Sequence, residues 1–406
     1  MTLDSADDVE WMTPGVRGIG TASFLADVGH EIPTALLPSF LTSTLGAPAS
    51  ALGAIEGVSD ALAGVARVGG GALADDPDRR RAVAVGGYTT TAVLSAGIGA
   101  TTATWQVGLL RAGAWTARGL RVPARNALLA DVVPARAYGR AYGFERAMDN
   151  LGAIVGPLLA IVLVAAVGAR TAMGLSVIPG LLAVAAIVYA IRHTPRPATH
   201  ERRPIRLRVR PVLRGRLGRL MVGVSAFEAA NVAATLLILR ATELFEAGRD
   251  TDRAVQLALW LYVAYNVAAT VASPLAGRWV DRRGAVSVLT AGAVAFAGAY
   301  AWFAVGPSGT GWAGVGWLFP AFVLAGIGIG LAETAQHAAV AGTAPEEIRG
   351  SAFGVLAGVQ SLGNLIASVA AGVIWTVVSP TAAFAVLAIT MTVAVPMIST
   401  SGRRDR

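Results

Sequence analysis

Cysteine and lysine are both absent from this chain of 406 residues, and only four histidines occur. Without cysteine there is no disulfide, no thiol nucleophile and no thiolate metal site. Without lysine no phosphate-binding loop of the form GxxxxGKS or GxxxxGKT exists, which excludes ATP-driven pumping by this chain. The histidines also lack the His/Glu spacing of a metalloprotease. We therefore expect no enzyme, no cofactor and no metal.

Charge is scarce as well. Only 14% of the residues are charged and 54% are hydrophobic, whereas soluble domains carry about 25% charged residues. The apolar residues form blocks, for example 82–104, 171–191 and 285–305. A helix of roughly 20 apolar residues crosses the hydrocarbon core of a bilayer. The sequence predicts an all-α polytopic membrane protein whose surroundings are lipid, and the net charge of +8 does not indicate nucleic acid.

Twelve such blocks are separated by breaks. The predicted spans of the first half are 16–45, 50–73, 82–104, 105–130, 138–168 and 171–191. Those of the second half are 217–244, 254–280, 285–305, 311–341, 348–378 and 381–398. This pattern predicts an N-terminal bundle over 16–191, a basic linker over 192–216, a C-terminal bundle over 217–398, and short tails over 1–15 and 399–406.

The arginines set the expected orientation. Basic residues accumulate on the cytoplasmic side of membrane proteins. With both termini in the cytoplasm, the linker, residues 79–81 and residues 282–283 lie inside, and only Arg170, Arg249 and Arg253 occupy outer loops. We expect a monomer in the plasma membrane with both tails cytoplasmic.

The two halves repeat each other. Residues 134–143 resemble 345–354 at an offset of 211, and the same offset pairs Gly152 with Gly363. A fixed register over a helix, a loop and a second helix favours duplication over the chance similarity of Ala- and Gly-rich helices. Parallel duplication of a membrane bundle is known among secondary transporters. The sequence therefore predicts two pseudo-symmetric bundles of six helices.

Two loops carry a Gly–Asp–Arg pattern that, with the two halves and their basic linker, resembles the major facilitator superfamily. The first loop contributes Gly71, Asp75 and Arg79, and the second contributes Gly277, Asp281, Arg282 and Gly284. Asp76 and Asp78 depart from the family pattern in the first copy. The resemblance, to twelve-helix bacterial and archaeal members, implies that these loops form a cytoplasmic gate.

A glycine–proline pattern lies in the fifth span, at Gly143, Gly152, Gly156 and Pro157. It is similar to a motif associated with antiporters of that family, although Ala160 and Ile161 replace the final glycines. Glycines on one helix face equally allow a neighbouring helix to pack closely. Both interpretations stay open.

Ionisable and amide residues are frequent inside the predicted spans, where a charge is costly and usually marks function. Our candidates for proton coupling or for the lining of a central cavity are Asp27, His30, Glu31, Glu56, Asp60, Arg118, Arg121, Asp149, Asn150, Glu228, Asn231, Glu333 and His337. Most of the charges lie in the first half. At the offset of 211, Gln360 corresponds to Asp149 and His337 to Asn126, so we expect coupling to concentrate in the N-terminal half.

A buried carboxyl group can bind and release a proton, whereas arginine keeps its proton. Asp27, Glu31 or Asp149 would carry the proton, with Arg118 or Arg121 as the fixed counter-charge. His30 would relay it or simply accept a hydrogen bond within the bundle. For Arg67, Arg125, Glu145 and Arg146 we favour structural ion pairs.

The expected function is secondary transport of a small organic solute by alternating access, with proton-coupled export as the first hypothesis. Proton symport for the uptake of an anionic solute is the alternative. A non-transporting membrane receptor is the contrasting class.

Overall fold

The computed structural model describes residues 11–194, 204–246, 250–305 and 312–401. These residues form helices, joined by short loops, and no strand occurs within these ranges. Parts of the predicted tails and linker, namely residues 1–10, 195–203 and 402–406, and Arg249 of the outer loops lie outside the described residues.

The first half contains six helices: α1 (Pro14–Ser39), α2 (Ala49–Ala74), α3 (Pro77–Gly97), α4 (Thr104–Asp131), α5 (Tyr138–Leu175) and α6 (Val177–Arg192). A π-helical turn, Phe40–Thr44, extends α1. Thr13 and Asp76 accept hydrogen bonds from backbone N–H groups at the starts of α1 and α3, which satisfies donors that have no partner inside the helix.

The second half contains α7 (Val209–Val212), α8 (Gly215–Glu228), α9 (Ala234–Glu246), α10 (Thr251–Arg283), α11 (Ala285–Val305), α12 (Trp312–Thr343), α13 (Arg349–Val377) and α14 (Pro380–Ser401). The predicted seventh span is divided into α8 and α9, with Glu228 as the last residue before the break. Broken membrane helices expose backbone groups and are common at transporter binding sites.

The predicted fifth and sixth spans meet inside α5. Gly168 has a φ of 78°, which interrupts the helical geometry and separates the two spans. Glycine adopts this left-handed conformation without the steric cost that a β-carbon imposes.

Seven helical stretches within the described ranges are long and apolar enough to cross a membrane. One of them, Ala135–Arg192, has 58 residues and accommodates two crossings. Helices α1, α2 and α4 carry ionisable residues that lower their hydropathy, and the break shortens α8 and α9. The twelve predicted spans are therefore consistent with the helices.

Two compact units are present. The N-terminal unit comprises Met1–Val209 and Ala344–Val355, and the C-terminal unit comprises Arg210–Thr343 and Leu356–Arg406. In the N-terminal unit, α1 packs on α5 and α6 and α2 packs on α4; in the C-terminal unit, α12 packs on α10 and α11. The start of α13 belongs with the N-terminal unit, because residues 344–355 pack against it.

Candidate functional site

One face of α1 carries a buried cluster of ionisable groups. Asp27, His30 and Glu31 are three and four residues apart, a spacing that places them on the same side of a helix. Nδ1 of His30 lies 3.4 Å from Oδ1 of Asp27, and Nε2 lies 3.3 Å from Oε1 of Glu31. Arg118 of α4 approaches Asp27 to 3.6 Å. This arrangement joins two carboxylates, one imidazole and one permanent cation, and we name it the α1 cluster.

A second set of contacts surrounds Arg111, which lies seven residues before Arg118 on α4. Its guanidinium group donates to Oε2 of Glu56 at 3.1 Å and to the hydroxyl of Thr34 at 2.9 Å. The guanidinium carbon also lies 3.3 Å from the ring centre of Trp115, a cation–π contact. Trp115 in turn donates its indole N–H to Asp60 at 2.9 Å. Glu56 and Asp60 thus have partners on α4.

A closed group of four charges joins α4 and α5. Arg125 contacts Glu145 at 2.8 Å and Asp149 at 3.1 Å. Arg146 contacts the same carboxylates at 2.7 Å and 3.2 Å. Ser23 of α1 bonds to Glu145 and Arg125 as well. The two cations and two anions compensate each other, so we name this group the ionic quartet.

Glycines of α5 bring α1 close. A methyl group on Gly152 would lie 2.7 Å from Cβ of Asp27, and one on Gly156 would lie 2.5 Å from Cβ of Glu31. The predicted motif also includes Gly143 and Pro157, which lie in the same helix. The glycine motif therefore positions the carboxylates of the α1 cluster against α5.

A small cavity borders the α1 cluster between α1, α3, α4 and α6. The buried polar atoms Tyr88 OH, Ser95 Oγ and Arg121 Nε lack a hydrogen-bond partner within the described structure, and their residues line this cavity together with His30. Arg121 also stacks on the ring of Tyr88, at 4.0 Å. The cavity has room for about one water molecule and is too small for an organic solute.

The C-terminal unit places another buried carboxyl group at the end of α8. Glu228 accepts hydrogen bonds from Asn231 and from Gln336 of α12, both at 2.9 Å. Gln336 accepts in turn from Gln360 of α13 at 2.6 Å. Asn364 donates to the backbone carbonyl of Asn231 at 2.9 Å, which ties the helix break to α13.

Glu333 and His337 lie one turn apart on α12, where His337 Nδ1 is 2.7 Å from the Glu333 carbonyl oxygen. Tyr262 and Tyr265 of α10 stack with ring centres 5.6 Å apart.

The first Gly–Asp loop contacts the start of α13. Asp75 accepts hydrogen bonds from the backbone N–H of Ser351, at 2.8 Å, and from its hydroxyl. Burial raises the pKa of Asp75 above its ordinary value, although the bonds from Ser351 oppose this rise. Asp131 binds Arg80 and lies 3.4 Å from Arg349. Asp75, after α2, and Asp131, at the end of α4, therefore both contact the start of α13.

Gly71 permits this approach, since a methyl group there would lie 2.7 Å from both the Gly350 carbonyl oxygen and Cα of Gly354. Arg79 contributes its backbone N–H to the Asp76 carboxylate at 3.1 Å.

In the second Gly–Asp loop, Gly277, Asp281 and Arg282 lie in the last turns of α10, and Gly284 ends the helix with a φ of 85°. Arg282 is exposed.

The structure brings Asp27, His30 and Glu31 together on one face of α1, as their spacing predicted. It also places Arg118 of α4 beside Asp27 and Asn231 beside Glu228. Asn150 is half-buried on α5, next to the ionic quartet. The candidate set did not include Trp115, Ser351, Asp131 or Gln336. The helical spacing of Glu333, Gln336 and His337 was a usable signal for Gln336; nothing local in the sequence pointed to Ser351 or Asp131.

The helices and their buried charges define a polytopic membrane transporter. A family model described as the Major Facilitator Superfamily matches residues 19–245 and 220–404, and the chain belongs to this superfamily. It is a transporter and not an enzyme.

Similar proteins agree with this assignment. An uncharacterized MFS-type transporter of Methanocaldococcus jannaschii is 28% identical over 367 residues, which cover 90% of this chain and 89% of the relative. The human organic anion transporter MFSD10 (TETRAN) has a TM-score of 0.73 at 15% identity, covering 95% of this chain and 99% of that chain. The fucose:proton symporter FucP of E. coli has a TM-score of 0.72 at 15% identity, covering 96% and 98%. These two structures share the twelve-helix fold with this chain.

Proposed function

We propose that this transporter exports a small organic solute in exchange for protons, by alternating access of two six-helix bundles. The observation that carries the proposal is the α1 cluster, in which His30 lies 3.4 Å from Asp27 and 3.3 Å from Glu31 on one helix face. In this proposal the protein lies in the plasma membrane with both termini in the cytoplasm, and the Gly–Asp loops act as the cytoplasmic gate.

The chemistry of the cluster suits proton transfer. Imidazole gains and loses a proton near neutral pH, and its two nitrogens here face two different carboxylates. Arg118 supplies a permanent positive charge beside Asp27. A proton moving from one carboxylate to the other through His30 would keep the local net charge constant, because the gain and the loss fall on groups of the same type.

The glycine motif favours the antiport direction. Its glycines lie against the α1 cluster, where Gly152 faces Asp27 and Gly156 faces Glu31. A change in the packing of α5 on α1 would therefore reach the proposed proton carriers directly.

Uptake of an anionic solute by proton symport is the second candidate. It is favoured by Arg121, which is buried and has no carboxylate within ion-pair distance in the part of the chain that the structure describes. An anion would compensate this charge.

The test has two stages. A library of organic anions, organic cations and neutral solutes is first screened by thermal shift of the purified protein. Solutes that stabilise it are then tested in proteoliposomes loaded with a pH-sensitive dye, under an imposed proton gradient.

We expect solute flux to be driven by the gradient in the wild type and lost in Asp27→Asn. The matched control is Asp78→Asn, which changes an exposed carboxylate at the start of α3. Full gradient-driven flux in Asp27→Asn would contradict the assigned role of the α1 cluster. Flux of solute and protons in the same direction would contradict proton-coupled export and support proton symport.

A further inference from the structure

Glu228 is a buried carboxyl group without a cation. Its side chain is 3% exposed, and its hydrogen-bond donors are the amide groups of Asn231 and Gln336. Within the described ranges, no arginine or histidine forms an ion pair with it. An ionised carboxylate buried without a counter-charge is costly, and the usual escape is to bind a proton.

The other ionisable groups near Glu228, among the described residues, do not form an ion pair with it. Among the described residues, α12 presents Glu333, whose carboxylate opposes a negative charge on Glu228, and α11 presents Tyr300, whose phenol carries no positive charge. His337, also on α12, directs Nδ1 to the Glu333 backbone. Helices α13 and α14 bring no charged side chain to this position; α13 presents Gln360 and Gly363.

The repeat of 211 residues allows the surroundings of Glu228 to be compared with the N-terminal unit. Gly363 and Gly152 are 211 residues apart; a methyl group on Gly363 would lie 2.5 Å from Cβ of Glu228, and one on Gly152 would lie 2.7 Å from Cβ of Asp27. Glu228 therefore contacts Gly363 as Asp27 contacts the equivalent Gly152.

The neighbouring pair follows the same offset. Gln336 is 211 residues after Arg125, and Gln360 is 211 residues after Asp149. Arg125 and Asp149 form an ion pair at 3.1 Å, and Gln336 and Gln360 form an amide hydrogen bond at 2.6 Å. The contact between α4 and α5 thus recurs between α12 and α13 with amide groups in place of the charged groups.

Amides and guanidinium groups differ in one decisive respect. A guanidinium group only donates hydrogen bonds, so it suits an ionised carboxylate and offers no acceptor for a protonated one. An amide donates from nitrogen and accepts at oxygen, and rotation exchanges the two. Gln336 can therefore satisfy Glu228 in either protonation state, which the arginines of the ionic quartet cannot do for Asp149.

We propose that Glu228 is a second proton-binding site, in which the amides of Gln336 and Gln360 rotate as the proton binds and leaves. This inference rests on the proposed proton coupling. The incoming proton forms an O–H bond on Glu228 and cancels its charge. Gln336 rotates so that its oxygen accepts from this O–H, and its nitrogen then donates to the oxygen of a rotated Gln360. Release reverses each step and returns the proton to water.

Infrared difference spectroscopy of the purified full chain in lipid nanodiscs tests this with protons as the only ligand. As the pH is raised from acidic to alkaline, many carboxyl groups lose their protons, so the spectrum of Glu228→Gln is subtracted from that of the wild type. The subtraction should leave one protonated-carboxyl band, which belongs to Glu228. The control Glu346→Gln changes an exposed carboxylate and should keep this band. Identical carboxyl bands in the wild type and Glu228→Gln would overturn the proposal.

A second variant leaves Glu228 in place. Gln336→Arg puts back the arginine of the equivalent position, and it should hold Glu228 ionised and abolish the same band in folded protein. Persistence of the band in Gln336→Arg would count against the proposal even if Glu228→Gln does not fold. The proteoliposome assay is independent of these spectra, so a failure of proton-coupled transport would not be mistaken for a failure of proton binding at Glu228.

Discussion

Gly152 lies directly against Asp27, so closely that a single added methyl group would stand 2.7 Å from its β-carbon. The neighbouring Phe24 carbonyl oxygen would lie at the same distance from that methyl group. Helix α5 can approach α1 at this point only because the side chain is absent.

Gly152→Ala should therefore destabilise the protein by about 1–3 kcal/mol, because overpacking forces the two helices apart. The measurement is the thermal unfolding midpoint in detergent. Gly86→Ala is the matched control, since a methyl group on Gly86 meets nothing within 4 Å and alanine is the better helix former. Equal midpoints for Gly152→Ala and Gly86→Ala would contradict the close contact.

The ionic quartet should respond strongly to the loss of one member. Asp149→Gln leaves Arg125 and Arg146 with one carboxylate between them, and breaking a buried ion pair from one side costs about 3–5 kcal/mol. The double variant Arg125→Gln, Asp149→Gln recreates the amide pair of the C-terminal unit and should recover part of that loss. A double-mutant cycle on unfolding free energies measures the coupling, and strictly additive effects would show that the two side chains do not interact.

The burial of Asp75 predicts that the stability of the protein depends on pH. Its folded pKa is raised above the ordinary value of 3.8 by burial. A raised pKa means that the folded state binds the proton more tightly than the unfolded state, so the stabilising contribution is present below pH 3.8 and is lost as the pH rises through the folded value. The wild type should therefore lose stability relative to Asp75→Asn as the pH rises across this range. Asp78→Asn changes an exposed carboxylate of the same type and is the comparison variant. A difference for Asp75→Asn that does not change with pH would refute the effect of burial.

Local periodicity was enough to predict much of the fold and part of the site. Long apolar blocks predicted the spans, since the bilayer fixes their length. The spacing of Asp27, His30 and Glu31 predicted one shared helix face, because residues three and four apart are neighbours on any α-helix. The constant offset of 211 predicted the duplication, and the glycine contacts of α5 and α13 agree with it.

Partners on other helices could not be predicted in the same way. The bond from Ser351 to Asp75 spans 276 residues, and Arg80 reaches Asp131 across 51. The sequence indicated that most charges lie in the first half. It did not show that Arg125 and Arg146 compensate Asp149, or that the hydrogen-bond donors to Glu228 are amides. The sequence by itself determined the helices, their repetition and the faces of single helices, because these depend on neighbours along the chain. Only the tertiary structure decided which charges are compensated, because that depends on which helix faces pack together.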